Sequence, residues 1–159
     1  MTDDAVVLLT FVTALGCGLM GGAFFAFSSF IMTALGRLPA PQGIAAMQSI
    51  NVFAVTPMFM TALFGTALAC LVLMAATWYR SPVTSGYLLL GSALYLVGTI
   101  LVTVVFNVPR NNALMRVDPV SEDGARVWGD YVVSWTMWNH VRTLSGLAAA
   151  AVLTWALMN

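Results

Sequence analysis

Charge is the scarcest property of this sequence. Lysine is absent, six arginines balance six acidic residues, and charged residues make up only 8% of the chain. Ordinary soluble domains carry about 25% charged residues, so this inventory cannot build a water-soluble surface. A basic excess is missing as well, which excludes the electrostatic footprint of a nucleic-acid-binding protein.

Residues that bind metals or act as nucleophiles are also few. His140 is the single histidine, and the two cysteines, Cys17 and Cys70, fall inside apolar stretches as small buried hydrophobes. One histidine cannot build a tetrahedral zinc centre. Haem held by histidine and methionine, or copper held by histidine, methionine and cysteine, stays open, although no metal or other cofactor is expected. Motifs for nucleotide binding or serine hydrolysis are missing.

Apolar residues form 60% of the chain, and the mean hydropathy is +0.92. Residues 5–35, 38–79 and 81–109 contain no acidic or basic side chain, and each stretch exceeds the roughly 20 residues that span a bilayer. We therefore predict one all-α domain, a four-helix transmembrane bundle whose fourth helix extends beyond the membrane. The predicted spans cover about residues 5–30, 57–78, 86–106 and 138–158, with a short helix at 41–55 and a polar loop at 107–122.

The placement of arginine predicts the topology. The loops after the first and third spans hold Arg37, Arg110, Arg116 and Arg126, whereas the opposite side holds only Arg80. Because positive charge is retained in the cytoplasm, both termini are predicted to lie outside. The acidic start lacks a basic segment before the first apolar run, which indicates a retained span. The expected location is the cell (inner) membrane, which the chain crosses several times.

Two local patterns predict packing and helix boundaries. Gly18 and Gly22 have the GxxxG spacing that lets helix backbones approach closely, which favours packing within the bundle. Ser121 precedes the acidic residues Glu122 and Asp123, which suit the positive end of a helix dipole, so it is expected to cap the last helix.

Polar side chains first gather where the third helix is expected to end. Phe106, Asn107, Pro109 and Asn111 follow one another closely there. Pro109 frees carbonyl groups in the preceding turn, and the asparagines offer donors and acceptors near them. These asparagines indicate either a helix stop with satisfied backbone groups or part of a binding site.

A second polar cluster lies at the start of the fourth span. Trp128, Tyr131, Trp135, Asn139 and Arg142 are separated by three or four residues, so they share one face of a helix. An aromatic wall therefore leads to an amide and a guanidinium. The alternative is an interfacial aromatic belt with Arg142 as a snorkelling anchor.

His140 is expected to point away from this face. It lies about 100° from Asn139 and about 160° from Arg142 around the helix. It is either a packing histidine or a catalytic group, and one substrate atom cannot easily meet both His140 and Arg142.

Several segments together resemble the anthrone oxygenase-like family of small integral membrane proteins. They are Phe24–Phe30, Arg37–Pro39, Gln42–Asn51, Phe106–Asn112 and Trp135–Thr143. The resemblance implies oxidation of the central methylene of an anthrone to a carbonyl, with O₂ as oxidant and no firmly established cofactor. The implied partners are a lipophilic small molecule, O₂ and the lipid bilayer. Arg110 stands where the family pattern has an apolar residue, which would place a charge beside the site and alter substrate choice.

This chemistry suggests a role for each polar residue. Loss of a proton gives an anthrone anion whose charge lies largely on oxygen, and this anion can react directly with O₂. The protein then needs a base, for which His140 is the candidate, and an oxyanion stabiliser, for which Arg142 and Asn139 are the candidates. The candidate substrate-binding residues are Asn107, Asn111, Trp135, Trp138 and Phe106.

Other functions fit the same sequence. A non-catalytic membrane protein could bind a lipophilic ligand or a partner subunit, and a haem or copper redox protein is a further alternative. Transport is the least favoured, because no pair of broken helices is evident. A homo-oligomer is compatible with all of these functions.

Overall fold

The computed structural model describes residues 3–79 and 82–158, and the regular secondary structure of this part of the chain consists of helices alone. We number five helices: α1 Asp3–Gly36, α2 Ala40–Phe53, α3 Pro57–Ala76, α4 from Pro82 to Leu114, and α5 Glu122–Ala156. The predicted all-α bundle with a long last helix is confirmed. Arg80, which entered the topology prediction, lies outside the described residues.

Capping and proline explain where the helices begin. The Thr56 hydroxyl accepts a hydrogen bond from the Phe59 amide at 3.3 Å, and Pro57 occupies the first turn of α3, where an amide donor is not needed. Ser121 caps α5 as predicted, because its hydroxyl accepts from the Gly124 amide at 2.9 Å.

Helices α1 and α4 are not regular throughout. Phe27–Ile31 of α1 and both Leu96–Leu101 and Thr103–Asn107 of α4 form π-helical turns, which are frequent at functional sites. The last of these turns ends at Asn107, two residues before Pro109. Helix α4 then continues to Leu114, whereas the sequence predicts that the third span ends near residue 106. Proline removes one amide donor without ending the helix here.

The four long helices form a closed ring of neighbours. Helix α1 packs on α5, α5 on α4, α4 on α3, and α3 on α1. Helix α2 lies across one end of this ring and contacts α5 and the ends of α1 and α4. The α1–α5 crossing is the closest, since a side-chain carbon added at Gly146 would lie 3.1 Å from the Gly21 Cα atom. Small residues at this crossing bring the two backbones together.

Gly21, rather than the GxxxG pair, makes the close contact in α1. A side-chain carbon at Gly21 would lie 3.0 Å from the Leu147 backbone nitrogen, whereas one at Gly22 would meet nothing within 4 Å. At Gly18 the nearest atom, the Ala150 Cβ, would be 3.8 Å away. The predicted packing within the bundle is therefore present, but it is centred on Gly21.

Replacing Gly21 with valine should lower the stability of the bundle by about 1–3 kcal/mol, the usual cost of overpacking. The neighbouring Gly22→Val variant is the matched control, because its side chain would enter open space. Thermal unfolding of both variants in detergent measures the difference. Equal midpoints would contradict the close α1–α5 crossing.

Three helices, Asp3–Gly36, Pro57–Ala76 and Ser85–Leu114, are long and apolar enough to cross a membrane. Helix α5 is less apolar, so the fourth span stays a prediction. Its packing supports that prediction, because exposed apolar side chains follow α5 from Val133 to Trp155, about 33 Å along the axis. The exposed row on α1, from Val7 to Phe30, is about 35 Å long. Both lengths slightly exceed the roughly 30 Å of a bilayer core.

Candidate functional site

The predicted face of α5 is buried along its length. Trp128, Tyr131, Trp135, Asn139 and Arg142 are all buried, as the three- and four-residue spacing requires. The three aromatic rings stack in sequence, with centroids 5.7 Å apart between Trp128 and Tyr131 and 5.9 Å apart between Tyr131 and Trp135. The stack leads from the polar end of α5 to Asn139 and Arg142.

Asn139 is fully buried and links α5 to α1. Its amide nitrogen donates to the Phe24 carbonyl and to the Ser28 hydroxyl, both at 2.7 Å. Ser28 lies in the π-helical turn of α1 and also bonds the Thr143 hydroxyl at 3.0 Å. The two bonds from the Asn139 amide nitrogen fix the orientation of the side-chain amide, and its oxygen points toward Arg142.

Arg142 is only 5% exposed and has only neutral partners among the described residues. Its Nη2 donates to the Asn139 Oδ1 at 2.7 Å, and its Nη1 donates to the Thr103 hydroxyl at 3.3 Å. The Nε atom is buried and finds no hydrogen-bond partner in the described part of the chain. Aromatic rings flank the guanidinium, whose carbon lies 4.2 Å from the Phe24 centroid and 5.0 Å from the Trp135 centroid. Aromatic faces and neutral oxygens stabilise the cation without neutralising it.

The α4 asparagines fix the aromatic face of α5. The Asn111 oxygen accepts from the Trp135 Nε1 at 2.7 Å and from the Tyr131 hydroxyl at 2.9 Å. Asn107 donates to the Trp135 carbonyl at 3.2 Å, while its own oxygen is buried without a partner. Burial raises the pKa of Tyr131 above its usual value, so its hydroxyl remains a donor. The two polar clusters that the sequence contains, one on α4 and one on α5, are therefore in direct contact.

A cavity of about 180 Å³ lies beside Arg142, toward the end of the helix ring that α2 covers. All five helices and the α2–α3 connection contribute to its lining, which is mostly apolar. The polar groups on its wall are Arg142, Asn111, Asn51 and Thr103. The principal apolar contacts come from Phe24, Phe27, Met47, Phe59, Leu63 and Trp135. Within residues 3–79 and 82–158, no acidic side chain lines this cavity.

The predicted site residues occupy three different places. Arg142, Asn111 and Trp135 line the cavity, and Asn139 and Asn107 lie behind this wall as buried partners. Phe106 and Trp138 stack on each other with centroids 3.5 Å apart and do not line the cavity.

His140 is exposed on the outer side of α5. It lines a separate groove with Met32, Thr33 and Met137. The helical angle already indicated this separation from Arg142. The geometry therefore does not bring the predicted base to the predicted oxyanion site.

Several lining residues were not among the predicted site residues. Asn51 of α2 and Thr103 of α4 are polar residues in apolar surroundings, which was the available signal for both. Phe24, Phe59 and Leu63 carry no comparable signal. They reach the cavity only because helices distant in sequence pack together.

Candidate metal ligands are scattered. Among residues 3–79 and 82–158, no three His, Cys, Asp or Glu side chains come close enough to hold a metal ion. Cys17 and Cys70 are both buried and do not form a disulfide.

Arg110, which stands where the family pattern has an apolar residue, is not part of the cavity wall. Its guanidinium donates to the Ser134 hydroxyl at 3.0 Å and to the Phe106 carbonyl at 2.7 Å.

Comparison with known proteins identifies the family. The sequence profile of the anthrone oxygenase family matches residues 50–152, more than half of the chain. The match includes α3, α4 and most of α5, and thus Arg142, Asn139, Asn111 and Trp135. Neither a curated protein nor a solved structure gives a significant match. The chain therefore belongs to the anthrone oxygenase family.

Proposed function

We propose that this protein is a membrane-embedded oxygenase that oxidises the activated methylene of a flat, lipophilic, anthrone-type substrate with O₂. The observation that carries the proposal is the buried Arg142 cation on the wall of an apolar cavity, with no acidic partner among the described residues. A buried charge without a counter-charge is costly. A ligand that becomes an anion in this cavity would supply that counter-charge.

Arg142 has the position of an oxyanion stabiliser. Preorganised donors in a water-poor site stabilise developing negative charge far better than water does. The Arg142 Nε atom still lacks a partner, and Asn111, whose oxygen is occupied by Tyr131 and Trp135, has its amide nitrogen left for a ligand. A substrate oxygen held near these donors would make the methylene on the opposite side of the central ring more acidic, because the charge of the resulting anion is delocalised onto that oxygen.

The reaction balances without another reductant. The substrate anion transfers one electron to O₂, and the resulting radical pair combines to give a peroxide anion on the former methylene carbon. This anion takes back the proton removed in the first step and becomes a hydroperoxide. Loss of the remaining C–H proton breaks the O–O bond and leaves a carbonyl. One oxygen atom stays on carbon, and the other leaves as water with both methylene hydrogens.

Proton removal is assigned to water rather than to a side chain. Among the described residues, the cavity wall carries neither a carboxylate nor an imidazole, and His140 lies in a separate groove. By stabilising the anion, Arg142 lowers the pKa of the bound carbon acid, so that water or hydroxide at the site suffices as acceptor.

The proposed site suits a ligand that dissolves in lipid. The cavity is slightly larger than the apolar cavity of about 150 Å³ that is known to hold one benzene. A three-ring ligand would therefore extend beyond it through an opening. We also propose that the protein resides in the cell (inner) membrane with both termini outside, as the arginine distribution suggests.

Oxygen consumption by the purified protein in phosphatidylcholine vesicles tests the proposal. Anthrone should be converted to anthraquinone, with one O₂ consumed per product and a rate proportional to protein concentration. Saturable anthrone binding without turnover would support the non-catalytic ligand-binding alternative. A rate equal to that of protein-free vesicles, in the absence of binding, would contradict the site itself.

His140→Ala should change the turnover rate by less than about twofold, because surface substitutions away from a site have small effects. The assignment of His140 as general base gives the opposite expectation, a loss of about 10²-fold or more. Initial rates of anthraquinone formation at pH 7 distinguish the two. A large loss with an unchanged thermal midpoint would restore His140 to the mechanism.

A further inference from the structure

We infer that the ligand enters the cavity sideways from the lipid bilayer, through an opening between the α2–α3 connection and the end of α4. This inference rests on the proposed function only for the nature of the ligand. The cavity mouth and the closure of the bundle end that α2 covers are features of the fold itself.

The mouth is identified by the exposure of the lining residues. Val55, in the α2–α3 connection, is 68% exposed, and Val108, in α4, is 39% exposed. The other lining residues are buried or only partly exposed. Helix α3 packs mainly on the first part of α4, Pro82–Tyr95, so the two helices leave a gap toward Val108. The mouth is therefore bordered by two valines.

The surface around the mouth is apolar. Val52, Phe53 and Met58 are 57%, 75% and 83% exposed, and no charged residue occurs between Leu38 and Tyr79. Val108 is also the last residue of the exposed apolar row that follows α4 from Leu89. Exposed apolar surface of this kind is favourable in contact with lipid acyl chains and unfavourable in contact with water. The mouth thus opens at the edge of the lipid-facing band.

The end of the bundle nearest the polar loop is closed. Helix α2 lies across it, and the Gln48 amide nitrogen donates to the Leu114 carbonyl at 2.9 Å and to the Val117 carbonyl at 3.1 Å. Gly43 packs so closely on Trp128 that a side-chain carbon there would lie 2.7 Å from the ring. These contacts tie α2 to the α4–α5 loop and to α5. Direct access from water is therefore blocked, whereas the lateral side is open.

A cysteine-labelling experiment tests the entrance without any substrate. Met60, inside the cavity, is replaced by cysteine in a Cys17→Ala, Cys70→Ala background, and the protein is placed in phosphatidylcholine vesicles. Lipid-dissolved pyrenylmaleimide and a charged, membrane-impermeant methanethiosulfonate are then compared. Leu68→Cys, which is 63% exposed on α3, and Glu122→Cys, at the exposed start of α5, provide the lipid and water references.

Met60→Cys should react with the maleimide and should react with the charged reagent at least 10-fold more slowly than Glu122→Cys. Adding Val55→Trp should slow the maleimide reaction at least 10-fold. Phe53→Trp, which changes a more exposed neighbour that does not line the cavity, should leave the rate unchanged. Labelling by the charged reagent at the Glu122→Cys rate, failure of both reagents, or no effect of Val55→Trp would each overturn the lateral entrance. None of these results depends on turnover, so the oxygenase proposal stands or falls separately.

Discussion

The Arg142→Gln variant should lose about 10²- to 10³-fold in kcat/KM for anthrone oxygenation, the usual effect of removing an oxyanion donor. Glutamine retains donor capacity but lacks the positive charge. The charge is the decisive property here, because the Arg142 guanidinium faces the cavity and, among the described residues, its hydrogen-bond partners are the neutral Asn139 and Thr103. The developing substrate anion would then have no counter-charge on the cavity wall.

Two further variants separate charge from structure. Arg142→Lys keeps the charge but loses the planar contact with Phe24 and Trp135, so it should retain more activity than Arg142→Gln. Arg110→Gln removes an arginine whose guanidinium is bonded outside the cavity, and it should keep near-normal activity. Initial rates and thermal midpoints are measured for each variant. Equal losses in Arg110→Gln and Arg142→Gln would show that net charge, rather than the site, controls turnover.

Asn139→Leu should lower the stability of the protein by about 2–4 kcal/mol and also reduce turnover. Leucine has a similar size, but it leaves the Phe24 carbonyl and the Arg142 guanidinium without their present partners. An unsatisfied buried polar group costs about 1–3 kcal/mol, and a hydrogen bond to a charged group is worth about 1.5–3 kcal/mol. Thermal unfolding in detergent, with folded protein recovered by size exclusion, measures the loss.

Asn112→Leu is the matched control for this substitution. Asn112 follows Asn111 in α4 but is exposed and lies outside the cavity wall. A surface change of this kind usually alters stability by less than about 0.5 kcal/mol. If both variants unfolded at the wild-type temperature, the Asn139 network would not hold α1 and α5 together.

Much of this architecture is predictable from local pattern. Apolar stretches long enough to span a bilayer core predict the membrane helices. The three- and four-residue spacing on α5 correctly predicts one buried face, which consists of Trp128, Tyr131, Trp135, Asn139 and Arg142. The angle between His140 and Arg142 also follows from the helical period alone. These features depend on residues close together in sequence.

Other features depend on how distant helices pack. Phe24 and Asn51 reach one cavity from α1 and α2, and neither spacing nor composition marks them as neighbours of Arg142. Trp138 lies in the polar segment of α5, yet its ring stacks on Phe106 rather than on the cavity. The continuation of α4 past Pro109 follows a π-helical turn, for which the sequence carries no clear signal.

The absorption spectrum of an anthrone-type ligand bound without O₂ tests the central claim most directly. At pH 7, binding to the wild-type protein should produce the red-shifted spectrum of the ligand anion, in proportion to occupied sites. Arg142→Gln should bind the ligand in its neutral form, with no red shift. A neutral ligand spectrum in saturated wild-type protein would contradict the account.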